Sequence, residues 1–136
     1  KKLSPDARLP CYAHEGDAGL DLYSIETIEL KSNEKKTIRT GIAIALPKGH
    51  VGLVWDKSGM AGKYHLHTLA GVLDETYRGE ILIVMANLGS TPYTLEKGQK
   101  IAQLLVQPVA KVMVLEVNEL DETLRGEKGF GSTGPL

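Results

Sequence analysis

The stretch GVLDETYRGEILIVM, residues 71–85, sets one carboxylate, Asp74, after the apolar pair Val72 and Leu73 and three residues before Tyr77, then runs straight into five apolar residues. A turn at this point presents a single acid to a small pocket. The apolar run at 81–85 reads as a strand covered on both sides, within a sandwich or at a contact between copies, and IAQLLV at 101–106 reads the same way. Around these, Ile42, Ile44 and Leu46 alternate with Ala43 and Ala45, and Val112 and Val114 alternate with Met113 and Leu115, the two-residue period of strands. Pro47, Gly49, Gly52, Gly59, Gly62, Gly71, Gly79, Gly89, Pro92, Gly98 and Pro108 cut the chain into many short pieces. That punctuation predicts an all-β sandwich or barrel, with one helical turn near 59–63.

The chain has 136 residues, 42% of them apolar and 24% charged, the size of one domain with a sizeable core. No run approaches the ~20 apolar residues of a membrane span, and the opening KKLSPDARLP lacks the apolar stretch of a secretory signal. A cytoplasmic protein is expected. The single Cys11 has no internal disulfide partner and is expected to be buried or half-buried. Lysine and arginine number 16 against 17 acids, for a net charge of −1, which is not the footprint of a nucleic-acid surface. An anionic ligand therefore needs locally gathered positive charge. His65 and His67 share a face if extended, but a metal site needs three or four converging ligands, so they read as surface or interface histidines. Lys35 and Lys36 read as a solvated turn.

Four further Gly- or Asp-containing islands accompany residues 71–80: DAGLDLYS at 17–24, DKSG at 56–59, GQKIAQ at 98–103 and RGEKGFGSTG at 125–134. The last carries one large apolar side chain, Phe130, among four glycines and cannot form a core of its own. It reads either as a disordered terminus or as a flap over an anionic, ring-bearing ligand, since glycines let backbone amides approach phosphate oxygens closely.

In this order the five islands resemble the motifs of the homotrimeric dUTPase family, which hydrolyses deoxyuridine triphosphate to dUMP and pyrophosphate. The resemblance runs from LPCYAHEGDAGLDLYS (9–24) through TGIAIALPKGHVG (40–52) to the terminal arm. It implies a jelly-roll-like β fold with at most one short helix, in which residues 1–120 form the barrel and 121–136 a flexible arm. It also implies three subunits, with sites at their interfaces built from more than one chain.

The resemblance assigns roles residue by residue. Asp74 matches the family's catalytic carboxylate, a base for water; alone it reads first as a turn aspartate, and the flanking GVL and YRGE reverse that. Gln103 matches the glutamine beside the phosphates that helps orient that water; alone it is an ordinary strand residue. Tyr77 matches the tyrosine whose ring leaves no space for a 2′-hydroxyl; alone it is a core or edge aromatic. Residues 67–71, HTLAG, fall where the family's hairpin reads uracil through backbone groups, with Gly71 in that segment and Thr68 the only candidate side chain. Lys57, Ser58 and Gly59 offer a cation, a hydroxyl and an amide to phosphate, or serve as a plain loop and helix cap. The family usually has an arginine at the lysine, commonly after proline, so Asp56-Lys57 keeps the charge but lacks the bidentate fork. Arg125 matches the arm's phosphate clamp, Phe130 the aromatic that stacks on uracil, and Gly131, Ser132 and Thr133 further arm contacts. Asp21 corresponds to the aspartate that holds Mg2+ through its water shell; Asp17 reads as structural.

The resemblance thus implies a magnesium-dependent dUTP diphosphatase cleaving between the α and β phosphates, limiting uracil in DNA and supplying dUMP for dTMP synthesis. Two alternatives are a deaminase of the dCTP branch and a non-hydrolytic nucleotide-binding regulator on the same scaffold. The segment after Leu66 offers no acid set for work on cytosine, and a pure binder does not require Asp74, Gln103 and the arm together.

Overall fold

The computed structural model describes residues 1–129. In chain order these form β1 (Leu20–Tyr23), β2 (Ile28–Leu30), β3 (Lys35–Arg39), β4 (His50–Asp56), α1 (Ser58–Tyr64), β5 (Leu66–Leu69), β6 (Val72–Leu73), β7 (Leu82–Asn87), β8 (Tyr93–Leu95) and β9 (Lys100–Pro108). The expected all-β, jelly-roll-like architecture with a single short helix is what the chain adopts. One antiparallel sheet runs β1-β9-β4-β6, a second β3-β7-β5, and β2 pairs with β8 as a two-stranded ribbon.

All three contribute to one core. Leu22, Ile101 and Leu104 come from the first sheet, Ile38, Leu66, Ile83 and Met85 from the second, and Leu30 and Leu95 from the ribbon. Burying each such side chain stabilises the fold by about 1.5–3 kcal/mol. Along β7 the two-residue period sends Ile83 and Met85 inward, whereas Leu82 on the other face stays 46% exposed.

The helix owes little to propensity, since Gly59 and Gly62 both weaken it. Burial of Met60 and stacking of Tyr64 on Tyr93, with ring centroids 4.7 Å apart, hold it to the barrel. It ends at His65, whose left-handed backbone (φ 57°) returns its N–H to the last turn.

Two expected strands do not form. Residues 42–46 make only an isolated bridge, Lys2 to Ile42, because the N-terminal segment lies alongside: Lys1 donates to the Ala43 carbonyl (2.7 Å), and Leu3 N–H to that of Gly41 (2.7 Å). The alternation there reflects burial of Ile42, Ala43 and Leu46 in a non-ladder segment. Among the described residues, 112–115 pair with no strand, and their apolar side chains stand exposed, Val114 by 88%. Cys11 is also exposed rather than buried, because it lies in the edge segment that bridges β1 at Asp21.

The chain changes sheets between β5, which pairs with β7, and β6, which pairs with β4. The crossing needs left-handed backbone at Ala70 (φ 61°) and Gly71 (φ 111°), and Val54 N–H pins it by donating to the Gly71 carbonyl at 2.8 Å. Only glycine fits at 71, because a Cβ there would lie 2.7 Å from the Val54 carbonyl oxygen.

Candidate active site

Asp21 lies on β1 opposite Gln103 of β9, which in turn faces Trp55 of β4. Its side chain is buried, 2% exposed, a position no carboxylate occupies without counter-charge. Two lysines supply it. Lys57, the residue before α1, contacts Oδ1, and Lys100, at the start of β9, contacts Oδ2 at 2.6 Å. Burial pushes the Asp21 carboxyl up, but the Lys100 and Lys57 ammonium groups more than offset it and hold it below the usual carboxylate range. Lys100 is correspondingly raised by its bond to Asp21. The chain's near-neutral balance thus conceals a small, locally cationic site.

Gln103 is fixed by its neighbours. Nε2 donates to the Asp56 carbonyl at 2.8 Å, which turns Oε1 toward Gly19; a side chain at 19 would overlap it, its Cβ falling 2.5 Å from Oε1. Ser58 and Gly59 follow Lys57 at the exposed start of α1. The predicted residues Asp21, Lys57, Ser58, Gly59 and Gln103 therefore cluster at one end of the first sheet.

The second group lies along the crossing from β5 to β6. A cleft of about 380 Å³ opens between the end of β4, Leu53 to Asp56, and residues 67–72. Trp55, 58% exposed, forms part of its wall. Thr68 lines it too, with its hydroxyl buried against the Asp56 carboxylate without a well-formed hydrogen bond. Asp56 accepts the Thr68 N–H on Oδ1 (2.6 Å) and contacts His67 Nδ1 through Oδ2 (2.7 Å). Burial raises the Asp56 carboxyl and these contacts, His67 foremost, outweigh it, so its pKa lies below the ordinary value. A second cleft of about 350 Å³ adjoins, sharing Val72 and lined by Asp74, His50, Thr76 and Lys111. Asp74 is exposed at the start of a tight turn in which Tyr77 N–H returns to its carbonyl (3.0 Å). Among the described residues no group bonds its carboxylate. Tyr77 folds over Gly79 and donates to the Glu80 carbonyl at 3.0 Å.

These two groups do not meet within one chain. Asp74 follows Leu73, which pairs with Gly52, whereas Gln103 pairs with Trp55, three residues further along β4. At ~3.3 Å per residue and ~4.8 Å per strand, Asp74 lies roughly 13 Å along and two strand spacings across from Gln103, well beyond two groups sharing one water. Among the described residues, Arg125 bonds only the Lys128 carbonyl (3.0 Å) of its own turn. Phe130, Gly131, Ser132 and Thr133 lie outside the described residues.

Four contributors escaped the sequence reading: Lys100, Asp56, Trp55 and Gly19. Lys100 carried a usable signal, a cation placed at the mouth of an apolar strand with a buried acid to neutralise. Asp56 carried none, because its partners come from β5, eleven and twelve residues on.

The fold is thus that of a small all-β, jelly-roll-like barrel carrying a buried, lysine-clamped carboxylate and an open cleft of about 380 Å³. The dUTPase family model matches residues 5–134. The deoxyuridine 5'-triphosphate nucleotidohydrolase of Clostridium kluyveri is 49% identical, over 100% of this chain and 96% of its own length; that of Clostridium novyi is 50% identical over 98% and 96%. Among solved structures, a dUTPase mutant of Staphylococcus bacteriophage 80alpha with dUpNHpp superposes with a TM-score of 0.93 at 34% identity, covering 99% of this chain and 96% of that one. A mutant dUTPase from phage phi11 of S. aureus, described for its coordination of a structural Mg(II) ion, gives 0.84 at 30% identity, covering 90% and 97%. The chain belongs to the dUTPase family.

Proposed function

We propose that the protein hydrolyses dUTP to dUMP and pyrophosphate at sites shared between copies of a homotrimer, acting on the cytoplasmic nucleotide pool. The observation that carries the reading is the buried Asp21 clamped by two ammonium groups beside Gln103, in a chain whose family relatives are named for this hydrolysis.

Asp74 is the base. It holds a water against the α-phosphorus, and as the water oxygen bonds to phosphorus the α–β bridging bond breaks, pyrophosphate leaves, and the proton passes to an Asp74 oxygen. Gln103, its Nε2 tied to the Asp56 carbonyl, orients that water beside the phosphates with Oε1. Lys57 and Lys100 shift from Asp21 toward the phosphate oxygens, with Ser58 and Gly59 adding a hydroxyl and an amide. Residues 67–71 read uracil through backbone groups, with Thr68 at the wall and Gly71 at the tip, and the Tyr77 ring refuses a 2′-hydroxyl. The register separating Asp74 from Gln103 supports assembly of each site from different chains, and the uncovered Val112, Met113, Val114 and Leu115 offer surface for that assembly.

Among the described residues no three His, Cys, Asp or Glu side chains converge as a resident metal site. One buried carboxylate fits a Mg2+ ion that arrives on the triphosphate and keeps most of its waters, which Asp21 would hold through one of them. Bound there, the ion supplies charge neutralisation on the triphosphate. Residues 121–136 form the closing arm, in which Arg125, Gly131, Ser132 and Thr133 hold phosphate and Phe130 covers the base, excluding bulk water.

The test is to incubate the protein with dUTP, dCTP, dTTP and UTP, with and without Mg2+, beside Asp74→Asn. Pyrophosphate from dUTP alone, lost in the variant, is expected. Ammonia from dCTP, or tight dUTP binding without turnover, overturns the reading.

A further inference from the structure

The link between the two halves of the site is Asp56. It ends β4 in the first sheet, yet its carboxylate reaches β5 in the second, accepting from Thr68 N–H at 2.6 Å and contacting His67 Nδ1 at 2.7 Å. Its own carbonyl accepts from Gln103 Nε2 at 2.8 Å. One residue therefore ties the start of the segment at residues 67–71 and the amide of Gln103 to the end of β4. Its side chain is 23% exposed, so these bonds are only partly diluted by water. The ladder with β7 holds residues 66–69 to the second sheet, and Val54 N–H pins the crossing to β4 at Gly71. Between those two anchorages the Asp56 carboxylate is what reaches across the cleft from β4 to His67 and Thr68, on the wall that faces Trp55 and Val54.

We propose that Asp56 is a positioning residue for base selection: its carboxylate fixes the backbone of residues 67–69 against β4 and so sets the width of the cleft that reads the nucleobase. This rests on the base-reading role proposed above for residues 67–71. The same residue fixes Gln103, which serves the phosphates. Through Asp56 this segment and the phosphate side are rigidly joined within a chain, although in the shared-site assembly they belong to different sites.

The chemistry makes the side-chain part separable. Replacing Asp56 by alanine removes both carboxylate bonds and leaves the backbone carbonyl that holds Gln103. Asparagine keeps the Oδ1 acceptor for Thr68 N–H and replaces the oxygen that faces His67 Nδ1 with an amide nitrogen. Hydrogen bonds to a charged group are stronger than neutral ones, so loss of the clamp is expected to act mainly on binding of the base.

The experiment measures kcat and KM for dUTP, and the trace kcat/KM for dCTP at enzyme concentrations far above those of the standard assay, in wild type, Asp56→Ala, Asp56→Asn and His67→Ala, with urea unfolding of each. Expected for Asp56→Ala is a KM for dUTP raised about 10-fold or more, a kcat within a few-fold of wild type, and a dUTP-over-dCTP preference reduced by about the same factor as KM rises. Asp56→Asn restores most of that preference, and His67→Ala falls between. If Asp56→Ala does not fold, the Asn and His67→Ala variants carry the comparison. Equal loss of kcat for all substrates, tracking stability with unchanged preference, reduces Asp56 to a structural residue and overturns the proposal. A wild type that turns over no dUTP instead overturns the reading on which it rests.

Discussion

Gly71→Ala and Gly49→Ala form a matched pair, because both glycines have positive φ, 111° and 73°, but different surroundings. Around position 49 a new Cβ meets nothing within 4 Å, so the substitution costs only the backbone preference, about 1–2 kcal/mol. At 71 the same Cβ lies 2.7 Å from the Val54 carbonyl oxygen and 3.2 Å from the Val54 Cβ, in a strand residue that is 7% exposed and has nowhere to move. Relief requires displacing the Ala70–Gly71 crossing, which breaks the 2.8 Å bond from Val54 N–H to the Gly71 carbonyl, worth about 0.5–1.5 kcal/mol, and strips packing from Leu53 and Val72. Gly71→Ala should therefore lose about 3–5 kcal/mol in all, at least ~2 kcal/mol more than Gly49→Ala. Equilibrium urea unfolding at one fixed protomer concentration measures both, since assembly makes midpoints concentration-dependent. Gly71→Ala should also raise KM for dUTP, because the displaced segment walls the base cleft. Equal destabilisation of the two variants refutes the steric argument, and an unchanged KM refutes the placement of the base.

Lys100→Met leaves the buried Asp21 with Lys57 alone. Because Lys100 is 45% exposed and one partner remains, a measurable loss is expected in urea unfolding, smaller than the roughly 3–5 kcal/mol of a fully orphaned buried charge; no loss means the pair is a surface contact only. Asp21 and Asp56 both have depressed carboxyl pKa values, so their contribution is fully present above the ordinary value near ~4 and fades as pH falls through the lower folded value. Wild-type unfolding midpoints should thus drop faster than those of Asp21→Asn between about pH 4 and pH 2, and parallel curves contradict the depression. Tyr77→Ala should admit UTP, read as pyrophosphate release from the ribonucleotide, whereas continued refusal removes Tyr77 from sugar selection.

Local chemistry made much of this legible. The turn and strand at 71–85, the helical turn after Lys57 and the apolar runs at 81–85 and 101–106 each carry their own pattern, and each forms the element it predicts. The failures share a cause: whether a segment pairs depends on an edge elsewhere. Residues 42–46 alternate correctly but lie beside the N-terminal segment, and residues 112–115 find no edge among the described residues. Within the site, Asp74, Tyr77 and Lys57 stood out from their flanking residues. Asp56 and Lys100 did not, because the partners that give them meaning, His67 and Thr68 for one and Asp21 for the other, arrive only through the sheet crossing and the β1–β9 register.

The central claim, that dUTP is cleaved where Asp74 of one copy meets Gln103 of another, is tested by complementation. Asp74→Asn and Gln103→Leu chains, each nearly inactive alone, are unfolded, mixed in equal amounts and refolded together, and pyrophosphate release from dUTP is followed. Random reassortment gives both intact residues to about a quarter of shared sites, so activity should return to roughly a quarter of wild type. A mixture no more active than its two components contradicts the account.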